Sequence, residues 1–228
     1  MIRAGEYDTG QPPRESPWSP GDDPNILCKI EVPQLANKAI REVVSSPEIG
    51  RWAAAATGAS MVQVWWVQFL FKPPAPDDPT ALAKIGWHQD NSYWNTTWEE
   101  GSQLLTAWVA LSDVNQDSGP MTFVRGSHNW GAVEGSDFFS QDLEHSAIQR
   151  PADSVWEEKP ALMPAGAMSL HDWLVFHGSD RNTTSQARRS LAIHLRTNNS
   201  TPKKEPGTSL LTFIENPEIN PVIFGAAE

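Results

Sequence analysis

The chain has 228 residues, enough for one domain of generous size, and its 39% hydrophobic and 20% charged residues can close a core without the signature of disorder. Acidic residues outnumber basic ones 28 to 17, a formal charge of −11, which argues against nucleic acid or an anionic membrane surface as a partner. Cys28 is the one cysteine and cannot form an internal disulfide, and the start MIRAGEYDTG lacks the pattern of a secretory leader, so a cytoplasmic protein is expected.

Residues 10–24 (GQPPRESPWSPGDDP) hold five prolines and two glycines, which remove donors and repeatable dihedrals; residues 1–31 are therefore expected to be an irregular arm before a single domain at 32–228. Two short helices are expected within about 33–58, the second with Ser46 as N-cap, Pro47 at its first position, Glu48 in its first turn and Gly58 past its end. Trp52 to Phe71 is uncharged for twenty residues. Gly58 nevertheless divides an Ala-rich half from a half rich in Val, Trp and Phe, so a helix end followed by a buried strand is expected instead of a membrane span. Beyond Ala59, short β-branched and aromatic runs separated by Gly, Pro, Asp and Asn predict strands near 60–72, 82–88, 103–111, 121–125, 161–163, 166–170, 173–176 and 189–197. A mostly β body with flanking helices follows, its core at about 59–200 and a C-terminal segment at 201–228. No Gly-rich phosphate loop is present.

The segment KIGWHQDNSYW sets His88 and Asp90 two apart at an expected strand end, where alternation puts both side chains on one face. Imidazole plus carboxylate is half of a two-histidine, one-carboxylate metal site, which leaves coordination positions open. His177, at the end of the apolar run in HDWLVFHGSD, is the candidate third ligand, with His171 its rival; His128, His145 and His194 read as structural or exposed. Arg188 lies eleven residues past His177 and offers a bidentate fork for a carboxylate. Arg189 beside it must face the other way, so only one of the two points inward.

In these motifs the sequence resembles the phytanoyl-CoA dioxygenase-like branch of the Fe(II)/2-oxoglutarate-dependent oxygenases. The resemblance runs from about Trp65 to Arg196 through FLFKPP, WHQD, LLTAWVALSDVNQDSGPMTFVRGSH and HGSDRNTTSQARRS. It implies a double-stranded β-helix, the cupin-like jelly roll. It further implies iron ligands at His88, Asp90 and His177, 2-oxoglutarate held by Arg188 with Ser179, a cosubstrate pocket lined by Trp108 and Gln68, and Asn182 supporting the loop after the distal histidine. The implied activity consumes O2 and 2-oxoglutarate, releases succinate and CO2, and hydroxylates an unactivated C–H of a small molecule of the kind found in secondary metabolism; desaturation, epoxidation and ring formation use the same ligands. Halogenation is disfavoured because Asp90 is present. Members of the family usually carry a further helix and strand ahead of the region matching Val32, so either the arm or a partner chain, in a homodimer, is expected to cover the sheet edge.

Two other classes compete: a non-catalytic jelly-roll binding protein, and a zinc hydrolase, for which no general base stands out. Tyr93, Trp94 and Trp98 follow the ligand pair in a Ser/Asn/Thr-rich segment and are expected to touch substrate from a rim loop. The substrate itself is expected to be compact, largely apolar and not a coenzyme A thioester. Gly86 to Asp117 contains no Lys or Arg, although basic residues from elsewhere in the chain, such as Lys72, Lys84 or Arg125, could bring positive charge to the mouth.

Overall fold

The computed structural model describes residues 4–19, 21–23, 27–75 and 84–226; the first residues of the strand expected at 82–88, and parts of the arm, lie outside them. Two antiparallel sheets make up the body. The larger has the order β1 (Cys28–Glu31), β2 (Val62–Lys72), β9 (Arg188–Thr197), β4 (Leu104–Ala110), β7 (Met168–Asp172), with β10 (Val222–Phe224) also paired to β2. The smaller runs β3 (Ile85–His88), β8 (His177–Ser179), β5 (Thr122–Val124), β6 (Glu158–Pro160). Inward side chains of both sheets line one cavity, so this is a jelly roll with its site between the layers.

Alternation along the strands decides what each face does. On β4 and β9, Leu105, Ala107, Val109, Leu191, Ile193 and Leu195 face outward into an apolar cluster. Helix α2 (Pro47–Thr57) closes that cluster with Ile49, Ala53 and Ala54, and α1 (Lys38–Val44) adds Val44. As expected, Ser46 is the N-cap residue of α2, Pro47 starts it and Gly58 ends it at φ 73°, a left-handed conformation that costs glycine nothing. The alternate residues Thr106, Trp108, Arg188, Ala192 and His194 face the cavity. Among the described residues no helix is long and apolar enough to cross a membrane; the uncharged stretch is divided between α2 and β2.

The structure corrects several expectations. The arm is not irregular throughout: Cys28–Glu31 forms an edge strand on β2, and Glu15 bridges to Glu31, so the chain covers its own sheet edge there. The apolar run expected as a strand at 173–176 is a turn, because Asp172 accepts the Leu174 N–H while Trp173 and Phe176 are drawn into two different core clusters. The ladder resumes at His177. The strand expected at 161–163 sits at Glu158–Pro160, an exposed edge whose backbone pairs with β5. Residues 91–94 form a short helix, α3 (Asn91–Trp94), where a loop was expected.

Candidate metal and dicarboxylate site

His88 closes β3 and His177 opens β8, and the two are register partners in the small sheet. Gly86 is required nearby, since a Cβ there would lie 2.0 Å from the Asp137 carbonyl oxygen. Asp90 reaches the same point by another route than strand alternation: it has left the strand and adopts helical dihedrals (φ −57°, ψ −31°) at the N-cap of α3. The ligand atoms of His88, Asp90 and His177 all lie within 4.8 Å of one another, and all three residues are buried. Asp90 Oδ1 is 3.8 Å from His88 Nε2 and 3.9 Å from His177 Nε2, too far for hydrogen bonds. The three donors face a common point that none of them fills.

The surrounding groups fix which atoms face that point. His88 Nδ1 lies 2.8 Å from the Gly86 carbonyl and His177 Nδ1 lies 3.0 Å from the Val175 carbonyl. A carbonyl only accepts, so each Nδ1 carries the proton and each Nε2 presents its lone pair. Burial pushes the pKa of both imidazoles down, and for His177 the neighbouring His88 adds to the effect, which favours the neutral, ligating form. Burial by itself would raise the Asp90 carboxyl, but His177 and His171 outweigh it and hold the group well below the usual carboxylate range. As an ionised acceptor, Asp90 Oδ2 receives the Thr106 hydroxyl at 3.2 Å, and Thr106 in turn accepts from His194 Nδ1 at 2.9 Å. His194, Thr106 and His171 are register partners across β9, β4 and β7, forming a polar row beneath the carboxylate. His171 Nε2 stands 3.7 Å from Asp90 Oδ2, on the side away from the other two histidines' Nε2 contacts, and neither of its ring nitrogens has a hydrogen-bond partner among the described residues.

Farther into a cavity of about 580 Å³, Arg188 is 3% exposed and inward-facing, whereas Arg189 is exposed. Its guanidinium sits 5.2 Å over the Trp108 ring and donates one Nη1 bond to the Gly119 carbonyl. Gly119 has φ 64° and would clash with the Asp180 carbonyl if it carried a Cβ. Arg188 Nε and Trp108 Nε1 are buried without a partner among the described residues, donors that a carboxylate can satisfy. Burial lowers the Arg188 pKa to about 10, leaving it charged at neutral pH. Ser179 lines the same wall, and Asn182, fully buried, closes the following loop through Thr184 and the Gln186 carbonyl. Metal donors at one end and unpaired cationic donors at the other fit a chelating dicarboxylate.

The mouth differs in part from expectation. Gln68 lines the cavity, but its amide donates to Glu31 at 3.2 Å, and that buried carboxylate also receives Trp66 Nε1 at 2.6 Å and Lys29 Nζ at 3.3 Å. Tyr93 is 39% exposed at the rim, where its hydroxyl accepts the Phe138 N–H at 2.9 Å. Trp94 packs edge-on against His194 and reaches the rim cleft beside Asp90. Trp98 stands apart from the rim: it is 1% exposed and sits edge-on to Trp65 at 5.4 Å in the core, because the turn that follows α3, closed by the Trp98 N–H donating to the Trp94 carbonyl, directs it inward. Glu31, Thr106 and His194 line the cavity although the sequence reading did not place them there, and the inner-face alternation of β1, β4 and β9 was their one signal in the sequence; His171, the rival third ligand, lines it too.

A jelly roll with a buried His–Asp–His donor set and an inward arginine defines a class of proteins built to hold a metal ion beside a carboxylate-bearing small molecule. Residues 22–190 match the family model described as phytanoyl-CoA dioxygenase (PhyH), and the chain belongs to that family. It is 27% identical over 180 residues to a protein of Stutzerimonas stutzeri described as a probable alpha-ketoglutarate-dependent hypophosphite dioxygenase, covering 76% of this chain and 58% of that one. A mouse phytanoyl-CoA dioxygenase domain-containing protein 1 is 23% identical, with 68% and 52% covered. The chain thus spans little more than half the length of these relatives. Among solved structures, the epimerase SnoN, in complex with Fe3+, alpha ketoglutarate and nogalamycin RO, superposes with a TM-score of 0.67 at 25% identity, covering 87% of this chain and 73% of that one.

Proposed function

We propose that this protein is a non-haem Fe(II)/2-oxoglutarate-dependent dioxygenase that hydroxylates an unactivated C–H of a small organic molecule. One observation carries the reading: a single cavity joins the His88, Asp90 and His177 donor set to an inward Arg188 whose Nε has no partner among the described residues. Bound iron, 2-oxoglutarate and O2 supply the oxidising power, with succinate and CO2 as the cosubstrate's products. The chain's own residues supply the geometry. His88 and His177 offer Nε2 while the Gly86 and Val175 carbonyls hold their rings, and Thr106 occupies Asp90 Oδ2 so that Oδ1 is turned to the metal. Arg188 grips the distal carboxylate with Ser179 beside it, and Trp108 Nε1 is available to the same ligand.

The substrate is read as compact, with apolar walls at Tyr93, Phe138 and Phe139 and a polar contact at the Glu31 and Lys29 pair. A coenzyme A thioester is disfavoured. The basic residues that its phosphates require are engaged elsewhere: Lys84 with Asp180 at 3.4 Å, Arg125 with Glu157 at 3.5 Å, and Lys72 within the core. The test is succinate formation from 2-oxoglutarate with Fe(II) and ascorbate, in the presence of acyl-coenzyme A thioesters or of free terpenoid, polyketide and amino-acid-derived compounds. Iron-dependent succinate, raised by a free compound that gains one oxygen, is expected. Stimulation by the thioesters alone overturns the substrate class, and no iron-dependent succinate at all overturns the activity.

A further inference from the structure

Lys72 is 0% exposed, faces the same way as Arg188 and is its register partner across β2 and β9. Like charges directly opposite on paired strands are destabilising, and burying a charge costs more still. The Lys72 pKa is pushed well below its ordinary value by burial first and by Arg188 second, so the two cations oppose one another. Among the described residues the carboxylate that favours the charged lysine is Asp180, and its side chain is 59% exposed and engages Lys84. A pair of buried cations that folding does not favour fits a place reserved for an anion.

The contacts of Lys72 give it a definite task. Its Nζ donates to Ser179 Oγ at 2.7 Å, to the Ser179 carbonyl at 3.3 Å and to the Asp180 carbonyl. An ammonium has three protons and no lone pair, and three acceptors use all of them. Ser179 Oγ is therefore an acceptor toward Lys72, and its own proton is left to point elsewhere. Ser179 lines the cavity that Arg188 also lines.

We propose that Lys72 is a positioning residue of the dicarboxylate subsite: it holds the Ser179 hydroxyl so that the hydroxyl proton is presented to the distal carboxylate gripped by Arg188. The inference rests on the reading of 2-oxoglutarate as cosubstrate. Lys72 does not touch the ligand; it acts through Ser179, so its effect is confined to a ligand that carries the distal carboxylate.

The test compares anaerobic binding of 2-oxoglutarate with that of 2-oxobutanoate, which lacks the distal carboxylate, to the Fe(II)-loaded wild type, Lys72→Met, Ser179→Ala and the double variant. Calorimetry reads the affinities, and thermal melting checks folding. The wild type should prefer 2-oxoglutarate, and Lys72→Met should weaken that ligand about tenfold or more, as for a lost charge-assisted hydrogen bond, while changing 2-oxobutanoate less than twofold. The double variant should bind 2-oxoglutarate no more than about twofold worse than the weaker single variant. If Lys72→Met does not fold, Lys72→Gln, which keeps donors for the carbonyls, takes its place. Equal weakening of both ligands means a merely structural lysine and overturns the proposal, as does a double variant in which the two losses multiply. Equal affinity of the wild type for the two ligands would instead overturn the cosubstrate reading beneath it.

Discussion

Arg188 and Arg189 are adjacent in sequence, yet the structure gives them opposite surroundings, so replacing each in turn isolates the inward position. Arg188→Met removes a residue that is 3% exposed, whose guanidinium is anchored at the Gly119 carbonyl and whose Nε has no partner among the described residues. Losing a buried charge-assisted partner costs about 2–5 kcal/mol, and at about 1.4 kcal/mol per tenfold this is a rise in the 2-oxoglutarate Kd of roughly 30-fold to several thousand-fold. Arg188→Lys should recover little of it, because one ammonium cannot reproduce the planar fork. Arg189→Ala should change the Kd by less than about twofold, since an exposed cation outside the cavity contributes within about ±0.5 kcal/mol. Anaerobic calorimetry with the Fe(II)-loaded protein measures all four affinities. Similar losses for Arg188→Met and Arg189→Ala would refute the assignment of Arg188 to the distal carboxylate.

The burial of His194 holds its pKa at about 4, below the 6.5 of the unfolded chain, so between those values the unfolded state takes up a proton that the native state does not. Stability of the metal-free protein should fall as pH drops through that window, with His194 contributing about 1.4 kcal/mol per pH unit; urea unfolding of His194→Gln should show a shallower slope, and an unchanged slope would count against a buried neutral His194. Trp98→Ala should lower stability by about 3–5 kcal/mol, about 6–20 °C in Tm, because it empties a fully buried indole site. Tyr93→Ala should leave Tm within a few degrees and raise the substrate KM, and a reversal of this pair, with Trp98→Ala stable and impaired in substrate binding, would restore the rim position for Trp98.

Patterns that are local in the chain were legible in the sequence. Ser46, Pro47 and Gly58 bound a helix by capping chemistry that needs only neighbours, and β4 and β9 follow from alternation within LLTAWVA and RRSLAIHLRT. His88, Asp90 and His177 were also found, although strand alternation gave the wrong reason for Asp90, whose place depends on the turn into α3. What the sequence hid is long-range register. Nothing near Lys72 says that it lies opposite Arg188 and under Ser179, and nothing near His194 says that Thr106 joins it to Asp90. Apolar content misled where burial and strand pairing part company: Trp173 and Phe176 are core residues of a turn, while exposed Glu158–Pro160 pairs in a ladder because its backbone meets β5.

The claim that His88, Asp90 and His177 hold the metal is tested most directly by anaerobic equilibrium dialysis of Fe(II) against the wild type, His88→Ala, Asp90→Ala, His177→Ala and His171→Ala, with circular dichroism to show that each is folded. His171 lies beside the carboxylate oxygen that Thr106 already occupies, not at the common point of the other three. One iron per chain is predicted for the wild type and for His171→Ala, with loss of iron from each of the other three variants. Iron retained without His177 but lost without His171 would contradict the site as described.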